Sequence, residues 1–266
     1  MLKVRLRYAK RGKLRFASHR DVARAFERAL RRAALPVAYS QGYHPHPKIS
    51  WVGAAPTGVA SEAEYVEIQF AEQVDPEVVR TRLNAALPDG LRVLDGVPAG
   101  AGRLAERIDA SVWRLEVHGV SSAQLRRAAE VLLARPRVLV ERVSREGRRQ
   151  VDVRAALASL SVPDEPATPP VPDHFRSCGI LIAVVRQVSP AVRPDDVLSA
   201  LGAVAGFPSS ARMKAIRIAQ GRLDGDGGLV DPLAADRAVA RTALVLDGSV
   251  QSEDEPPQHD VEGYTG

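Results

Sequence analysis

The first hundred residues switch twice between the spacing typical of a strand and the spacing typical of a helix. Residues 3–8 alternate apolar and charged side chains, which predicts a half-buried strand. Apolar residues then recur every three or four positions over residues 22–33, as on one face of an α-helix. Ser18 and Asp21 have the spacing of a capping box, so the helix is expected to begin after Ser18. It ends before Pro36, because the residue preceding a proline avoids the α region.

The same pattern continues to residue 99. Strands are predicted at residues 49–52, 65–70 and 91–97. A second helix opens at Asp75, with Asp at the N-cap and Pro76 at the first helical position. The order is therefore β-α-β-β-α-β, the ferredoxin-like arrangement.

A second set of elements follows a polar connector. Allowing for one insertion, its order is the same as that of the first set. Its members are strands at 112–118, 179–188 and 213–219, helices capped near 121 and starting at 193, a hairpin within 137–153 and a short helix at 155–160.

The chain is therefore expected to be an α+β protein of two tandem ferredoxin-like (β-α-β-β-α-β) halves with a disordered acidic C-terminal tail. The first domain spans residues 1–99. The second spans 110–221 and includes a proline-rich insertion at 161–175. Residues 222–266 are rich in Gly, Asp and Pro and are expected to be mostly disordered, with a short helix within 229–245.

Charge is distributed unevenly along the chain. Residues 1–50 hold thirteen Lys and Arg against two acidic residues, a balance of +11. Residues 223–266 hold two Arg against ten Asp and Glu, a balance of −8. A basic module suits polyanions, of which nucleic acid is the commonest in the cytoplasm. A solvated arginine-rich surface without a ligand is the alternative.

The first predicted helix and the loop after it hold the candidate binding residues. Arginines lie on the helix face opposite the apolar stripe, and the loop 40–48 carries His and Lys residues around two prolines. The residues expected to contact nucleic-acid phosphates in this region are Arg20, Arg24, Arg28, Arg31, Arg32 and Lys48.

Three histidines could converge if the loop folds over the start of the helix: His19, His44 and His46. Four interpretations are open. They could contact phosphates, or His19 and His46 could act as general acid and base in RNA cleavage. The three imidazoles could bind a divalent metal, or the histidines could only hold the shape of the loop.

Two further groups would extend this surface. Arg145 and Arg148 lie at the tip of the predicted hairpin and would add positive charge. Aromatic residues among the basic ones could stack on unpaired bases, although some are expected to face the core: Tyr8, Phe16, Tyr43, Trp51 and Tyr65.

The sequence also excludes several classes of function. Cys178 is the only cysteine, so an internal disulfide and an iron–sulfur cluster held by several thiolates of this chain are excluded. No Walker-type or dinucleotide motif occurs, and no cofactor is expected. No apolar run approaches the roughly 18 residues of a membrane span. The first residues lack a signal peptide's apolar centre, so a cytoplasmic protein is expected.

Three strings, S-H-R-D (18–21), Q-G-Y-H-P-H-P-K-I-S (41–50) and P-T-G-V-A-S-E-A-E-Y (56–65), resemble the radical-SAM-linked protein family. These uncharacterised bacterial domains occur beside, or fused behind, a radical S-adenosylmethionine protein. The resemblance covers residues 1 to about 220, and His44 departs from it, since the family more often has Asn there. This leaves His46 as the better candidate. The resemblance implies a partner enzyme that itself carries the iron–sulfur cluster.

The leading hypothesis is an accessory RNA-binding protein without catalytic activity of its own. Its partners would be tRNA or rRNA and a radical S-adenosylmethionine enzyme or RNA-processing machinery. One alternative is a metal-independent endoribonuclease that uses His19 and His46. Another is a protein-interaction module that binds no nucleic acid. No membrane partner is expected, and no preference for DNA is readable.

Overall fold

The computed structural model describes residues 2–144, 147–163, 178–207 and 211–249. They form a mixed sheet with helices packed against it, so the α+β class is confirmed. The strands are β1 (Leu2–Lys10), β2 (Ile49–Val52), β3 (Ala60–Phe70), β4 (Leu91–Pro98), β5 (Ala110–His118), β6 (Leu139–Ser144), β7 (Gly147–Asp152), β8 (Leu157–Ser161), β9 (Cys178–Arg186), β10 (Arg212–Leu223) and β11 (Leu229–Val230). The helices are α1 (His19–Arg32), α2 (Pro76–Ala86), α3 (Ser122–Ala134), α4 (Val153–Ala156), α5 (Pro194–Ala205) and α6 (Ala234–Ser249), with 3-10 turns at Gly12–Phe16 and Leu104–Arg107.

The main sheet has the order β4-β1-β3-β10-β5-β9-β8, with β2 also pairing β3 and β11 pairing β10. Neighbours are antiparallel except β3 and β10, which run parallel through the pairs Ile216↔Ala60 and Arg217↔Ser61. The strands β6 and β7 form a separate hairpin. The late strand β10 therefore lies between the two halves of the sheet and is hydrogen-bonded to both.

Helix α1 begins as its sequence predicts. The Ser18 hydroxyl accepts a hydrogen bond from the Asp21 N–H at 3.2 Å, and the Asp21 carboxylate accepts one from the Ser18 N–H at 3.2 Å. This is the predicted capping box, and it satisfies two N–H groups that the helix itself cannot. The helix packs on β1 and β3 with its apolar stripe, which consists of Val22, Ala25, Phe26, Ala29 and Leu30.

The second half departs from prediction in one element. The helix expected at 155–160 is wrong, since α4 ends at Ala156 and residues 157–161 form β8. Strand β8 pairs antiparallel with β9, and this pairing buries Leu157 and Leu160 in the core of the second half. The spacing of these two leucines is typical of a helix, so the pairing with β9 is what makes this segment a strand.

The segment from residue 222 differs from the expected disordered tail. Residues 222–249 contain the end of β10, β11 and α6. Leu233 is fully buried with Val97, Leu104 and Ile108 of the first half and the connector, and Asp236 is 2% exposed. The expectation of a mostly disordered tail is therefore wrong for residues 222–249. The acidic composition of this segment gave no sign that Leu233 and Asp236 are buried.

Other expectations lie beyond the structure's described ranges. These are residues 250–266 of the expected tail and residues 164–175 of the proline-rich insertion. None of the helices within the described ranges is both long and apolar enough to cross a membrane.

Candidate nucleic-acid interface

Helix α1 carries a row of four exposed arginines, called here the α1 arginine row: Arg20, Arg24, Arg28 and Arg31. Their spacing places them on one face of the helix, along roughly 16 Å at 1.5 Å per residue. None of the four forms an ion pair or a side-chain hydrogen bond with another described residue. The row therefore presents its charge to solvent.

One of the two acidic residues of α1 is already engaged. Asp21 is held by the capping box, and its hydrogen bonds with Ser18 lower the pKa of its carboxyl group, with smaller contributions from Arg24 and Arg20. Asp21 thus remains ionised at neutral pH as part of the cap. It offsets only part of the charge at the start of the helix.

Several basic residues on and just after β1, in contrast, are paired within the fold. Lys3 and Arg5 both bind the Glu67 carboxylate, at 2.8 and 2.9 Å. Arg11 binds Glu62 through its Nε at 2.6 Å. These pairings neutralise much of the charge of this segment, whereas the α1 arginine row has no ion-pair partner among the described residues.

Two other residues predicted to contact phosphates, Arg32 and Lys48, lie away from the α1 arginine row. Arg32 is exposed but donates to the Ala86 carbonyl at the end of α2, at 3.2 Å. Lys48 lines a groove of about 230 Å³ with Lys3 and Glu67. That groove is on the face of the sheet opposite α1, because the alternate residues of β2 and β3 face the helices. The structure therefore separates Lys48 from the α1 arginine row.

The three histidines occupy separate positions. His19 is the first residue of α1, and its ring meets the Trp51 ring edge-on at 5.4 Å. His44 meets Tyr43 edge-on at 5.6 Å. The backbone of His46 exchanges hydrogen bonds with Ser40, at 3.0 and 2.9 Å, which shapes the loop.

No contact in the described part of the chain joins His19 to the histidines of the loop. The described residues also contain no group of three or more His, Cys, Asp or Glu that could hold a metal ion. The three-imidazole interpretation is therefore without support in the structure. The catalytic roles of His19 and His46 stay predictions.

Two of the five candidate aromatic residues are exposed. Tyr8 and Tyr65 are buried, and Trp51 is half-buried against Tyr8 and Phe26. Tyr43 is 97% exposed, and Phe16 is 59% exposed. The guanidinium carbon of the neighbouring Arg15 lies 4.6 Å from the Phe16 ring centroid. Phe16 therefore offers a stacking surface immediately before the arginine-bearing helix.

The hairpin arginines belong to the second half. Arg148 has a side chain that is 76% exposed and pairs with Glu141 at 3.2 Å. The hairpin packs against α4 and α5 rather than α1. Arg145 lies outside the residues that the structure describes. Any contribution of this hairpin to binding would therefore form a second patch.

Sequence reasoning missed a buried polar network where the two halves meet. Glu64 and Arg217, which are 2% and 4% exposed, form an ion pair across the junction of β3 and β10. Arg217 also donates to the Ser61 hydroxyl at 3.3 Å, and Glu64 accepts from the Ala55 N–H at 3.0 Å. Lys10 donates to the Ala55 carbonyl at 3.4 Å, and burial lowers the pKa of this lysine.

One indication of this network was present in the sequence. Glu64 has the same parity along β3 as Val66 and Ile68, so it faces the core side of the strand and needs a buried partner. The partner could not be identified, because Arg217 is 153 residues away.

Comparison with known proteins assigns most of the chain to one protein family. Residues 3–194 match the family described as "Uncharacterized protein conserved in bacteria (DUF2344)". The matched range includes α1, the loop 40–48 and Glu64, whereas β10 and α6 follow it. No match was found among curated proteins. The chain belongs to this family of proteins conserved in bacteria.

Proposed function

We propose that this protein is a cytoplasmic accessory RNA-binding protein that acts beside a radical S-adenosylmethionine enzyme or RNA-processing machinery. The observation that carries the proposal is the α1 arginine row, four solvent-exposed guanidinium groups without ion-pair partners among the described residues. Arginine binds phosphate oxygens bidentately, and a row on one helix face can follow a phosphate backbone.

Exposed aromatic groups favour RNA with unpaired bases as the ligand. Sequence-tolerant binding of single strands combines a basic groove with aromatic rings on which bases stack. Phe16, with Arg15 against its ring, lies directly before α1 in the chain. A single-stranded loop or end of tRNA or rRNA would therefore place phosphates on the row and a base on Phe16.

The proposal includes the architecture of two ferredoxin-like halves. It is supported by the spatial order β4-β1-β3 with β2 on β3 in the first half, and by β10-β5-β9-β8 in the second. All neighbours within each half are antiparallel. The hairpin β6–β7 and α4 are then an insertion between α3 and β8 of the second half.

A radical enzyme as partner is supported by the sequence resemblance and by the single cysteine. Cys178 alone cannot supply the several thiolates of a cluster, so the iron–sulfur chemistry would belong to the partner. Co-purification of the two proteins after nuclease treatment tests this association. Loss of the partner on nuclease treatment would mean that RNA alone bridges them.

Binding of labelled tRNA and rRNA fragments over a series of salt concentrations tests RNA recognition. The wild-type protein should lose affinity steeply as salt rises, because phosphate contacts release counterions. Arg24→Glu/Arg28→Glu should weaken binding to all sequences and reduce the slope of log K against log salt by about 1.4, or about 0.7 for each single-strand phosphate contact.

The matched control is Arg126→Glu/Arg127→Glu, which makes the same charge change on exposed residues of α3 in the second half. It should retain most of the affinity. A flat salt response of the wild-type protein, or an equal loss in both double variants, would remove the α1 arginine row as the binding surface.

A further inference from the structure

The two halves of the sheet differ in what covers the face that points away from their main helices. In the first half, α1 and α2 pack on one face, and the chain itself covers the other. Leu104, Ile108 and Leu233 pack there against Tyr65 and Val97. In the second half, α3 and α5 pack on one face with the buried side chains of β5 and β9. The other face of the second half has no such cover among the described residues.

This uncovered face is apolar over three neighbouring strands. Its side chains alternate with those that pack against α3 and α5, as the period of a strand requires. The apolar residues of β5, β9 and β10 on this face, called here the open sheet face, are Val112, Ile180, Ile182, Val184 and Ile216. None of the five belongs to a hydrophobic core formed by the described residues, and all except Val184 are partly exposed.

The charged residues within the open sheet face largely neutralise one another. Arg114 lies at its centre and pairs with Ile182 on one side and Ile216 on the other. The Glu116 carboxylate accepts from Arg114 at 3.4 Å and from Lys214 at 3.0 Å. The face therefore has little net charge to attract a strongly charged partner such as nucleic acid. Apolar contact would have to supply most of the free energy of binding.

The open sheet face is large enough for a specific contact. Four adjacent strands and the nine residues of β5 span roughly 19 Å by 30 Å, or about 570 Å². Two such faces packed together would bury at least about 1,100 Å² in total, near the lower end for specific protein interfaces. Monomeric proteins rarely leave contiguous apolar patches of several hundred Å² in water.

We propose that a second copy of this chain covers the open sheet face, in a two-fold dimer whose two sheets pack face to face. A two-fold interface uses the same surface on both subunits, so each face must complement itself. An apolar sheet face does this as the two sheets of a β-sandwich do, about 10 Å apart. The balanced charges around Glu116 allow the face to meet its own copy without strong repulsion. This dimer is independent of the proposed RNA binding.

Light scattering coupled to size-exclusion chromatography, over a series of concentrations of nuclease-treated full chain, tests the proposal. The wild-type mass should rise to that of a dimer. Ile182→Lys/Ile216→Lys should raise the dissociation constant about a hundredfold or more, because four like charges would meet in the interface. The matched control is Val78→Lys/Val143→Lys, which places the same charges on exposed apolar residues of α2 and the hairpin and should leave the dimer unchanged.

Mixing two charge variants distinguishes a second copy from other occupants. Ile182→Glu/Ile216→Glu should be monomeric alone and form a dimer with the Lys variant, because opposite charges then meet. Circular dichroism shows whether these variants fold. Ile182→Thr/Ile216→Thr keeps the β-branched shape if they do not, and it should weaken the dimer about tenfold.

Three outcomes would overturn the proposal. The first is a wild-type protein that stays monomeric up to about 1 mM. The second is a dimer that the Lys and Thr variants leave unchanged, which would place the interface elsewhere. The third is a mixture of folded Lys and Glu variants that stays monomeric, which would mean that another part of the chain or a different protein covers the open sheet face.

Discussion

Asp236 illustrates how one side chain can join segments that are distant in the sequence. Its carboxylate accepts hydrogen bonds from Arg5 at 2.9 Å, from Arg107 at 2.8 Å and from the Gly100 N–H at 3.0 Å. Burial alone would raise the pKa of this carboxyl group, but the hydrogen bonds from Arg107 and Arg5 outweigh it and lower the pKa. Asp236 therefore attaches α6 to the first half as an ionised group.

We expect Asp236→Asn to lower the free energy of unfolding by about 3 kcal/mol. The substitution leaves the buried guanidinium group of Arg5 with Glu67 as its remaining carboxylate partner. Urea denaturation measures the change. The control is Glu77→Gln, which breaks an exposed pair with Arg80 and should cost no more than about 1 kcal/mol. Equal effects of the two substitutions would contradict the assignment.

The same variant gives a pH dependence with a defined sign. The pKa of Asp236 is lower in the folded protein than its ordinary value of 3.8, so the contribution is complete above that value and is lost as pH falls through the folded pKa. The difference in stability between wild type and Asp236→Asn should be constant near neutral pH and shrink only in acid below about pH 4. A difference that already vanishes near pH 6 would show that another group is responsible.

Individual residues could be predicted from the sequence only where the interaction was local. The pair Ser18 and Asp21 was readable because three positions separate its members. Asp236 was not, because its partners lie 129 and 231 residues away and its own segment is acidic and rich in glycine.

At the scale of elements, α1 depends on its cap as well as on its buried stripe. The helix carries several like charges on one face, and repulsion between i and i+4 arginines weakens it slightly. The capping box and the burial of Phe26 and Leu30 oppose that repulsion. The cap therefore helps to keep α1 helical, and with it the arrangement of the α1 arginine row on one face.

Ser18→Ala should lower the free energy of unfolding by about 1 kcal/mol, because it removes the acceptor for the Asp21 N–H. Thermal or urea denaturation measures this loss. Ser199→Ala is the matched control, since it removes an exposed hydroxyl that only bonds the Asp195 carbonyl within α5. Its effect should lie within about 0.5 kcal/mol of zero. A stable Ser18→Ala protein would mean that tertiary packing alone sets the start of α1.

Elements with clear caps or strict alternation were predictable, and the others were not. The strand Ile49–Val52 and the helix opening at Asp75 were found from local patterns. Strand β8 was mistaken for a helix, because the three-residue spacing of Leu157 and Leu160 is that of a helix face and would put them on opposite faces of a regular strand. An irregularity in the pairing between Leu157 and Ser159 brings both into the same core. Only the pairing with β9, which is distant in the chain, makes this segment a strand.

At the scale of the whole molecule, the two halves are joined by the short parallel contact of β3 with β10 and by the network around Glu64. Buried ion pairs contribute little net stability compared with apolar replacements, but removing one partner is costly. We therefore expect the Glu64–Arg217 pair to specify how the halves meet more than it strengthens the contact.

Glu64→Gln should lower the free energy of unfolding by about 3–5 kcal/mol, because it leaves the buried Arg217 charge without its carboxylate partner. The double variant Glu64→Leu/Arg217→Met removes both charges and should regain most of that loss. Urea denaturation followed by tryptophan fluorescence measures both, since Trp51 and Trp113 report on the two cores. A double variant that is less stable than Glu64→Gln would show that the pair itself is strongly stabilising.

The order of most strands and helices was readable from the sequence, but the way in which β10 joins them was not. Nothing in the local pattern of β10 indicates that it lies in the middle of the sheet rather than at an edge. The open sheet face shares this limitation, because its residues come from β5, β9 and β10. No sequence motif joins these three strands.

The central position of β10 also constrains the order of events during synthesis on the ribosome. Its neighbour β5 emerges long before it, so the β5 edge that pairs with β10 has no partner until about residue 223 has left the exit tunnel, whereas β2 already pairs with residues 65–68 of the corresponding β3 edge. A nascent chain thus passes through a stage with this β5 edge exposed, and β10 of another, completed molecule can pair with it. We expect chaperone binding at that stage and strand exchange between molecules on overproduction.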